Sequence, residues 1–525
     1  MKRLYFLLVP LLLITGCSQS RLAAQSPDNV HGSVYHDQNR NGALDPGEPG
    51  VKDVLVSNGV DIVRTDVSGM YELPIRDKST LFVIKPRDWM TPVDELNIPR
   101  FYRVVSSDDA SGNDYPGLQA TGIPDEPVHF PLVRHAEPES YRALIFGDTQ
   151  PRTLEEIHFL KNDSVQELIG VQAAFGVTLG DLVFDDLTLF EPLNETIARV
   201  GLPWRHIIGN HDVDYSTGSN WDARGAYLRT YGPSWYAWSW GPAHFVAIDN
   251  VRIIEGEDQR TYRTGLGDEQ FEFLRNFLAE IPDNEQIFFM MHIPWVDSTP
   301  WHSEDEKRRV FELLASHPRS TTFAAHTHRH FHRMIDESDG WPGDQPHHMV
   351  SMGTSCGAWW SGAPDEYGIP HSTMRDGTPT GYGFLNIDGN KWSLTYKAAR
   401  REAGHQMHLS APDVVDLTQP EETVLYANIY NALPDAHVEY RIDDGPWQPM
   451  IRFDGLDPTY EAMREREVSV ENPSWRVAGP AQETPHLWRA TLPGGIEEGV
   501  RTVQVRSRDE WNQYEGQRLL QFVRP

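Results

Sequence analysis

Cysteine is nearly absent: Cys17 and Cys356 are the two in a chain of 525 residues. Cys17 falls in a leader, described below, so Cys356 has no partner. No disulfide within the chain braces the fold, and stability must come from packed cores. Basic residues are also scarce, 46 against 76 acidic ones, for a net charge of −30. So acidic a surface repels nucleic acid, and no basic patch interleaved with aromatics offsets it, so no nucleic-acid partner is expected. It also repels anionic substrates at long range, but screening confines that to roughly 10 Å at ordinary salt. The leading apolar stretch, Leu4 to Ile14, is too short to cross a bilayer. No internal repeat or low-complexity tract stands out, and the length predicts about three or four domains.

What is present begins with that stretch. Lys2 and Arg3 precede it and small residues follow, the layout of a secretory signal. Ile14-Thr15-Gly16-Cys17 resembles a bacterial lipobox, which implies that Cys17 is lipidated and becomes the mature N-terminus, with residues 1–17 as its signal. The expectation is an exported bacterial lipoprotein, tethered to the membrane through Cys17 at the outer membrane or facing the periplasm. An ordinary cleaved signal is the alternative.

Residues 25–136 read as a β-rich module: short β-branched runs alternate with Asn-Gly and Ser-Gly turns. Within it, DQNRNGALDPGE fits a twelve-residue calcium loop, with Asp37, Asn39, Asn41 and Asp45 at ligand places, Gly42 at the turn and Glu48 as the closing carboxylate. A polar hairpin loop without calcium is the other reading. Calcium in the loop predicts a higher melting temperature in calcium than in EDTA.

The tract that organises the chain is Ser320 to Ile335, STTFAAHTHRHFHRMI. An apolar run, Thr322 to Ala325, enters like a buried strand and delivers His326 and His328 at its end. Neutral imidazole is the commonest metal ligand; the bland reading is a His-rich surface tract. Four other strand-like runs end the same way: YRALIFGDTQ in Asp148 and Gln150, AAFGVTLGD in Asp181, WRHIIGNHD in Asn210, His211 and Asp212, and EQIFFMMHIP in His292. Between several of them lie helix-patterned segments, such as that of Phe271, Leu274, Phe277 and Leu278. This is the order of an α/β layer protein, where ligands gather at the carboxyl ends of strands.

Read together, GDTQ, GDLVFDD, GNHD, MHIP and AHTH resemble the motifs of the calcineurin-like metallophosphoesterase family, over roughly residues 140–400. Two positions depart: Gln150 stands where many members have His, and Ala325 replaces the Gly before His326. The resemblance implies an α/β fold for residues 137–405, a four-layer β-sandwich flanked by helices. It also implies two divalent transition-metal ions, Mn, Fe or Zn. One would be held by Asp148, Gln150, Asp181 and His328, the other by Asp181, Asn210, His292 and His326. The implied reaction is hydrolysis of a phosphate mono- or diester by a hydroxide shared between ions about 3.5–4 Å apart. Two such ions outweigh the nearby negative charge, so the site can hold phosphate. His211, beside Asn210, is the candidate proton donor to the leaving oxygen, with Asp212 to orient it or raise its pKa. The alternative for His211 is a histidine that only positions phosphate. Asp185 and Asp186 read as supporting or solvated residues.

His302, His330, His332, His347 and His348 read as packing or surface residues. After them comes a Gly/Pro-rich loop holding Trp359 and Trp360, and two tryptophans beside a metal site can shape a substrate pocket, unless one of the pair is core. GYGFLNIDGNKWSLTYK is a hairpin signal turning at Asp388-Gly389. Residues 408–525 turn all-β again, in short alternating runs that read as an immunoglobulin-like sandwich. The expected function is therefore metal-dependent phosphoester hydrolysis. Two rivals are a non-catalytic cell-surface or carbohydrate-binding protein on the same fold, and a metal-dependent hydrolase of non-phosphate bonds.

Overall fold

The computed structural model describes residues 29–110, 114–217, 219–254 and 261–525. The expected signal, with Cys17, lies outside them. At the centre two sheets lie face to face. One runs in the order Trp204–Ile207, Gly176–Leu179, Ser140–Phe146, Gly381–Asp388, Lys391–Ala398. Its first three strands are parallel. The last two form the expected hairpin, and the first of these, Gly381–Asp388, lies antiparallel to Ser140–Phe146. The other sheet runs Tyr236–Trp240, Ala243–Ala247, Gln286–Met290, Ser320–Ala324, His347–Ser351, Phe331–Ile335, with its middle four strands parallel.

Burial explains why these strands read as unbroken apolar runs. Ile287, Phe288, Phe289 and Met290 are all fully buried, as expected where both faces of a parallel sheet are covered. Helices Leu154–Leu160 and Phe190–Ile197 share a core with Leu144 and Phe146 of the first sheet. Helices Gly267–Leu278 and Glu304–Ala315 bury Phe273, Phe277, Val310 and Leu314 on the second. Between the sheets, Ala143, Ile145, Leu385 and Leu394 meet Phe245 and Phe288. The layers are thus helix, sheet, sheet, helix.

Two four-stranded sheets precede this body, ordered Met70–Pro74, Asn29–His36, Val128–Arg134, Trp89–Met90 and Ile62–Arg64, Leu55–Ser57, Ser79–Val83, Tyr102–Val105. They are joined to it by a buried ion pair. Lys85 Nζ lies 2.5 Å from Glu137 Oε1 and donates to the Ser239 carbonyl at 2.7 Å. Burial pushes the Lys85 amine down to about 8 against the pull of Glu137. Lys85→Met removes the cation and leaves a buried carboxylate unbalanced, so the expected loss is about 3–5 kcal/mol. A lower urea midpoint at unchanged slope would register it.

Beyond the central body, two further sheets form a sandwich. One contains Val424–Ile429 and Leu487–Thr491, the other His437–Ile442, Gly499–Arg508 and Gln513–Val523, around Leu425, Trp488, Val503 and Phe522. The all-β expectation missed one helix there, Pro458–Val468. Its start signal is legible, since Asp457 caps it and proline opens it. Only Tyr460 and Glu467 are buried along it, so no apolar stripe announces a helix. The sandwich is stitched to the centre: Asn431 Oδ1 pairs with His330 Nε2 and His332 Nε2 at 2.9 and 3.1 Å, and Glu467 Oε1 takes the Ala363 N–H at 2.6 Å.

Candidate metal centre

All five motifs lie just past the carboxyl ends of parallel strands, on the same rim of the two sheets. Two glycines make the approach possible. A Cβ on Gly180, whose φ is +85°, would meet the His292 ring at 2.7 Å, and one on Gly209 would meet the Asp181 backbone N at 2.1 Å. Gly-Asp and Gly-Asn-His-Asp are therefore steric requirements of this rim. Ala325 sits where the chain does not take a positive φ, so its methyl is tolerated. Gln150, Asp181, His326 and His328 adopt φ of 38°, 48°, 65° and 51°. Such left-handed conformations cost energy in non-glycine residues and cluster at functional sites.

The structure brings together all seven residues expected as metal ligands. Asp181 Oδ2 lies 3.1 Å from His292 Nε2 and 3.0 Å from Gln150 Nε2. Asn210 Oδ1 is 3.0 Å from His292 Nε2, and His326 Nδ1 is 3.1 Å from the same nitrogen. His328 Nε2 lies 3.2 Å from Asp148 Oδ2. One ligating atom each from Asp181, His292 and His326 falls within 4.8 Å of the others. The ring nitrogens facing away are anchored: His292 Nδ1 on the Leu179 carbonyl at 2.8 Å, His328 Nδ1 on the Gly357 carbonyl at 2.6 Å, and His326 Nε2 on Thr299 Oγ1 at 3.1 Å. With the outer nitrogens of His292 and His328 donating to carbonyls, their inner ones present lone pairs in the neutral ring.

This set fits divalent cations. Carboxylates, amide oxygens and imidazole nitrogens converge in a buried space, and Asp148 Oδ2 is buried there without a hydrogen bond. Gln150 points its amide nitrogen at Asp181; turning that amide by 180° exchanges two atoms of equal shape and presents Oε1 instead. The local field is strongly negative. Burial disfavours charge on His292, but Asp181 outweighs it and lifts the imidazole to about 9. Burial and the neighbouring His292 push His326 down to about 4.

Two expectations need correction. Asp212 raises the His211 imidazole through its charge, as expected, but does not touch the ring to orient it. Its Oδ1 takes the Leu182 and Val183 N–H groups at 2.8 and 3.2 Å and its Oδ2 takes that of Gly209 at 2.7 Å, so it staples one motif loop to the other. The partner of His211 Nδ1 is Asp185 Oδ1, at 2.7 Å. Burial pushes His211 down, but Asp181 and the bond to Asp185 more than offset it and raise the imidazole. Trp360 is not a substrate residue: it is 3% exposed, and its indole N–H donates to the Thr149 carbonyl at 3.0 Å. Trp359 is half-buried and stacks on His328 with ring centres 4.0 Å apart.

The other histidines pack as expected: His330, His332 and His347 are buried, and His302 is exposed. In the loop Asp37 to Glu48, Asp45 Oδ2 takes the amides of Asn39 and Asn41, and Glu48 takes the N–H groups of Gln38 and Asp45. Residues missed by sequence reasoning include Thr299, which holds His326, and Arg152, whose guanidinium lies 4.0 Å from the Phe184 ring centre. Phe184 in turn stacks on His211 at 4.4 Å.

The acceptor-lined rim suits divalent cations, and comparison with known families assigns it to metal-dependent hydrolysis of phosphoesters. Residues 38–116 match the N terminal of calcineurin-like phosphoesterase, residues 141–330 the calcineurin-like phosphoesterase itself, and residues 350–514 its C terminal. The chain belongs to the calcineurin-like phosphoesterases. Among solved structures, a purple acid phosphatase from yellow lupin (Lupinus luteus) seeds matches at 14% identity and a TM-score of 0.37, over 66% of this chain and 67% of the other. The apo structure of Bacteroides uniformis beta-glucuronidase 3 matches at 10% identity and a TM-score of 0.21, over 90% of this chain and 59% of the other. No curated protein matches.

Proposed function

We propose that this chain hydrolyses phosphate esters at a dinuclear centre. Asp148, Gln150, Asp181 and His328 hold one divalent transition-metal ion, and Asp181, Asn210, His292 and His326 hold the other. The observation that carries this reading is the convergence of acceptor atoms around Asp181, with Asp148 Oδ2 buried beside them, 3.2 Å from His328 Nε2. Bound there, the cations supply Lewis acidity toward the phosphoryl oxygens and acidify water. The protein's own groups do the rest. Asp181, its Oδ1 fixed by the His211 N–H at 2.9 Å, holds its charge between the two ligand sets. His211, held by Asp185 at Nδ1 and by Phe184 on its face, has no hydrogen bond at Nε2 among the described residues, and that nitrogen gives the leaving oxygen a proton. Trp359 walls the site over His328. We also propose that the protein is exported and anchored through lipidated Cys17; palmitate labelling lost in Cys17→Ser is the check.

The test uses soluble protein beginning after Cys17. Metal analysis is expected to find two transition ions per chain, with turnover of an aryl phosphate monoester or methyl aryl diester. Asp181→Asn is expected to lose both metal and turnover. Absence of transition metal and of turnover after metal supplementation would instead mark a surface-binding protein on an inherited fold.

A further inference from the structure

Beside the metal centre lies a second cluster that the hydrolysis scheme does not use. Two arginines from distant parts of the chain meet at one atom. Arg152 Nη1 donates to the Trp359 carbonyl at 3.1 Å, and Arg476 Nη1, from the C-terminal part, reaches the same oxygen at 3.4 Å. One carbonyl leaves most of their N–H donors for something else. Arg152 has a partial counter-charge in Glu156, 3.5 Å away. Arg476 is exposed, and no carboxylate lies within ion-pair distance of it among the described residues. A chain with a net charge of −30 thus places two guanidiniums together, with one carboxylate between them, at this one rim.

Their position follows from the stacks. From His211 an unbroken arc runs through Phe184, at 4.4 Å, to Arg152, 4.0 Å beyond, then through the shared carbonyl to Trp359, whose ring lies 4.0 Å from His328. The arc begins at the group that faces the leaving oxygen and ends at a metal-ligand histidine. We propose that Arg152 and Arg476 form an anion subsite for the leaving group, so that the favoured substrate is a phosphate ester carrying a second anionic group, one aromatic ring's width from the scissile phosphorus. Guanidinium forks bind carboxylate or phosphate oxygens in bidentate fashion. At the mouth of the site they also offset the repulsion that the acidic surface exerts on a polyanion.

This inference rests on the phosphoesterase reading, and the experiment separates the two. Metal-loaded enzyme is given 4-carboxyphenyl phosphate and its neutral match, 4-carbamoylphenyl phosphate, or their methyl diesters if diesters are turned over. The wild type is expected to favour the carboxylate about tenfold in kcat/KM, with the ratio shrinking as salt rises. Arg476→Gln, an exposed substitution that leaves the cores untouched, is expected to bring the ratio near one, and Arg476→Lys to restore part of it. A ratio near one in the wild type, or an unchanged ratio in Arg476→Gln, overturns the subsite while leaving the hydrolase standing. No turnover of either ester overturns both.

Discussion

His211→Ala is expected to lower kcat on an alkyl phosphate by about 10²–10⁴-fold, the usual worth of a positioned general acid. On an aryl phosphate with an acidic phenol the loss is expected to be far smaller, because that leaving group departs without a proton. The contrast between the two esters, rather than either rate alone, identifies the role. A histidine that only positions phosphate would lose both equally. Asp185→Asn supplies the graded control. It keeps the imidazole on Phe184 but replaces the carboxylate that holds Nδ1 at 2.7 Å, so an intermediate loss, about 10-fold or more, is expected on the alkyl ester. Metal content measured on each variant separates lost proton transfer from lost cations.

Mild acid is expected to unfold the chelated protein. Burial pushes His206, His332 and His347 down to about 3 and His348 to about 4, with neighbouring histidines adding to the shift for His332 and His348. In the unfolded chain each titrates near 6.5. Between those values the unfolded state binds protons that the native state refuses, so stability is complete above pH 6.5 and falls as the pH drops. At pH 5 the cost is about 2 kcal/mol for each ring, or about 8 kcal/mol for the four, comparable to the whole stability of a folded domain. Asp212 works in the opposite sense. Burial and Asp181 raise it to about 7, so its protonation below that value favours the native state and offsets roughly one histidine, and His292, lifted to about 9, offsets about as much again as the pH falls from 8. Melting temperatures of the EDTA-treated protein from pH 8 to pH 4 would test this. A flat profile down to pH 5 would show that these rings take up protons without unfolding.

The metal-centre candidates were legible because each sits where local sequence dictates local shape: an apolar run that must be buried, a glycine that lets the backbone close in, then a ligand. Side-chain direction was not legible. Asp212 and Asp185 are both carboxylates close to His211 in the motifs. Asp185 reaches the ring from a backbone at φ +64°, while Asp212 turns inward to three N–H groups. Trp359 and Trp360 are adjacent and both left-handed, yet one faces His328 and the other the core. Arg476 is more than a hundred residues past the last metal-ligand motif, in a stretch without regular structure, and only the folded chain brings it to Trp359.

The hairpin Gly381–Ala398 has a consequence for anyone who would isolate the catalytic part. A piece ending at residue 330 contains all seven expected metal ligands. It lacks Gly381–Asp388, the neighbour of Ser140–Phe146, and His347–Ser351, the neighbour of Ser320–Ala324. Both orphaned strands bury their C-terminal halves in the folded chain and lead into expected metal ligands, and each would present an open edge that invites another chain to pair. Such a piece is expected to precipitate with every expected ligand present but His328 without its Gly357 anchor, so the return of the chain long after its last ligand is what keeps the site both set and in solution.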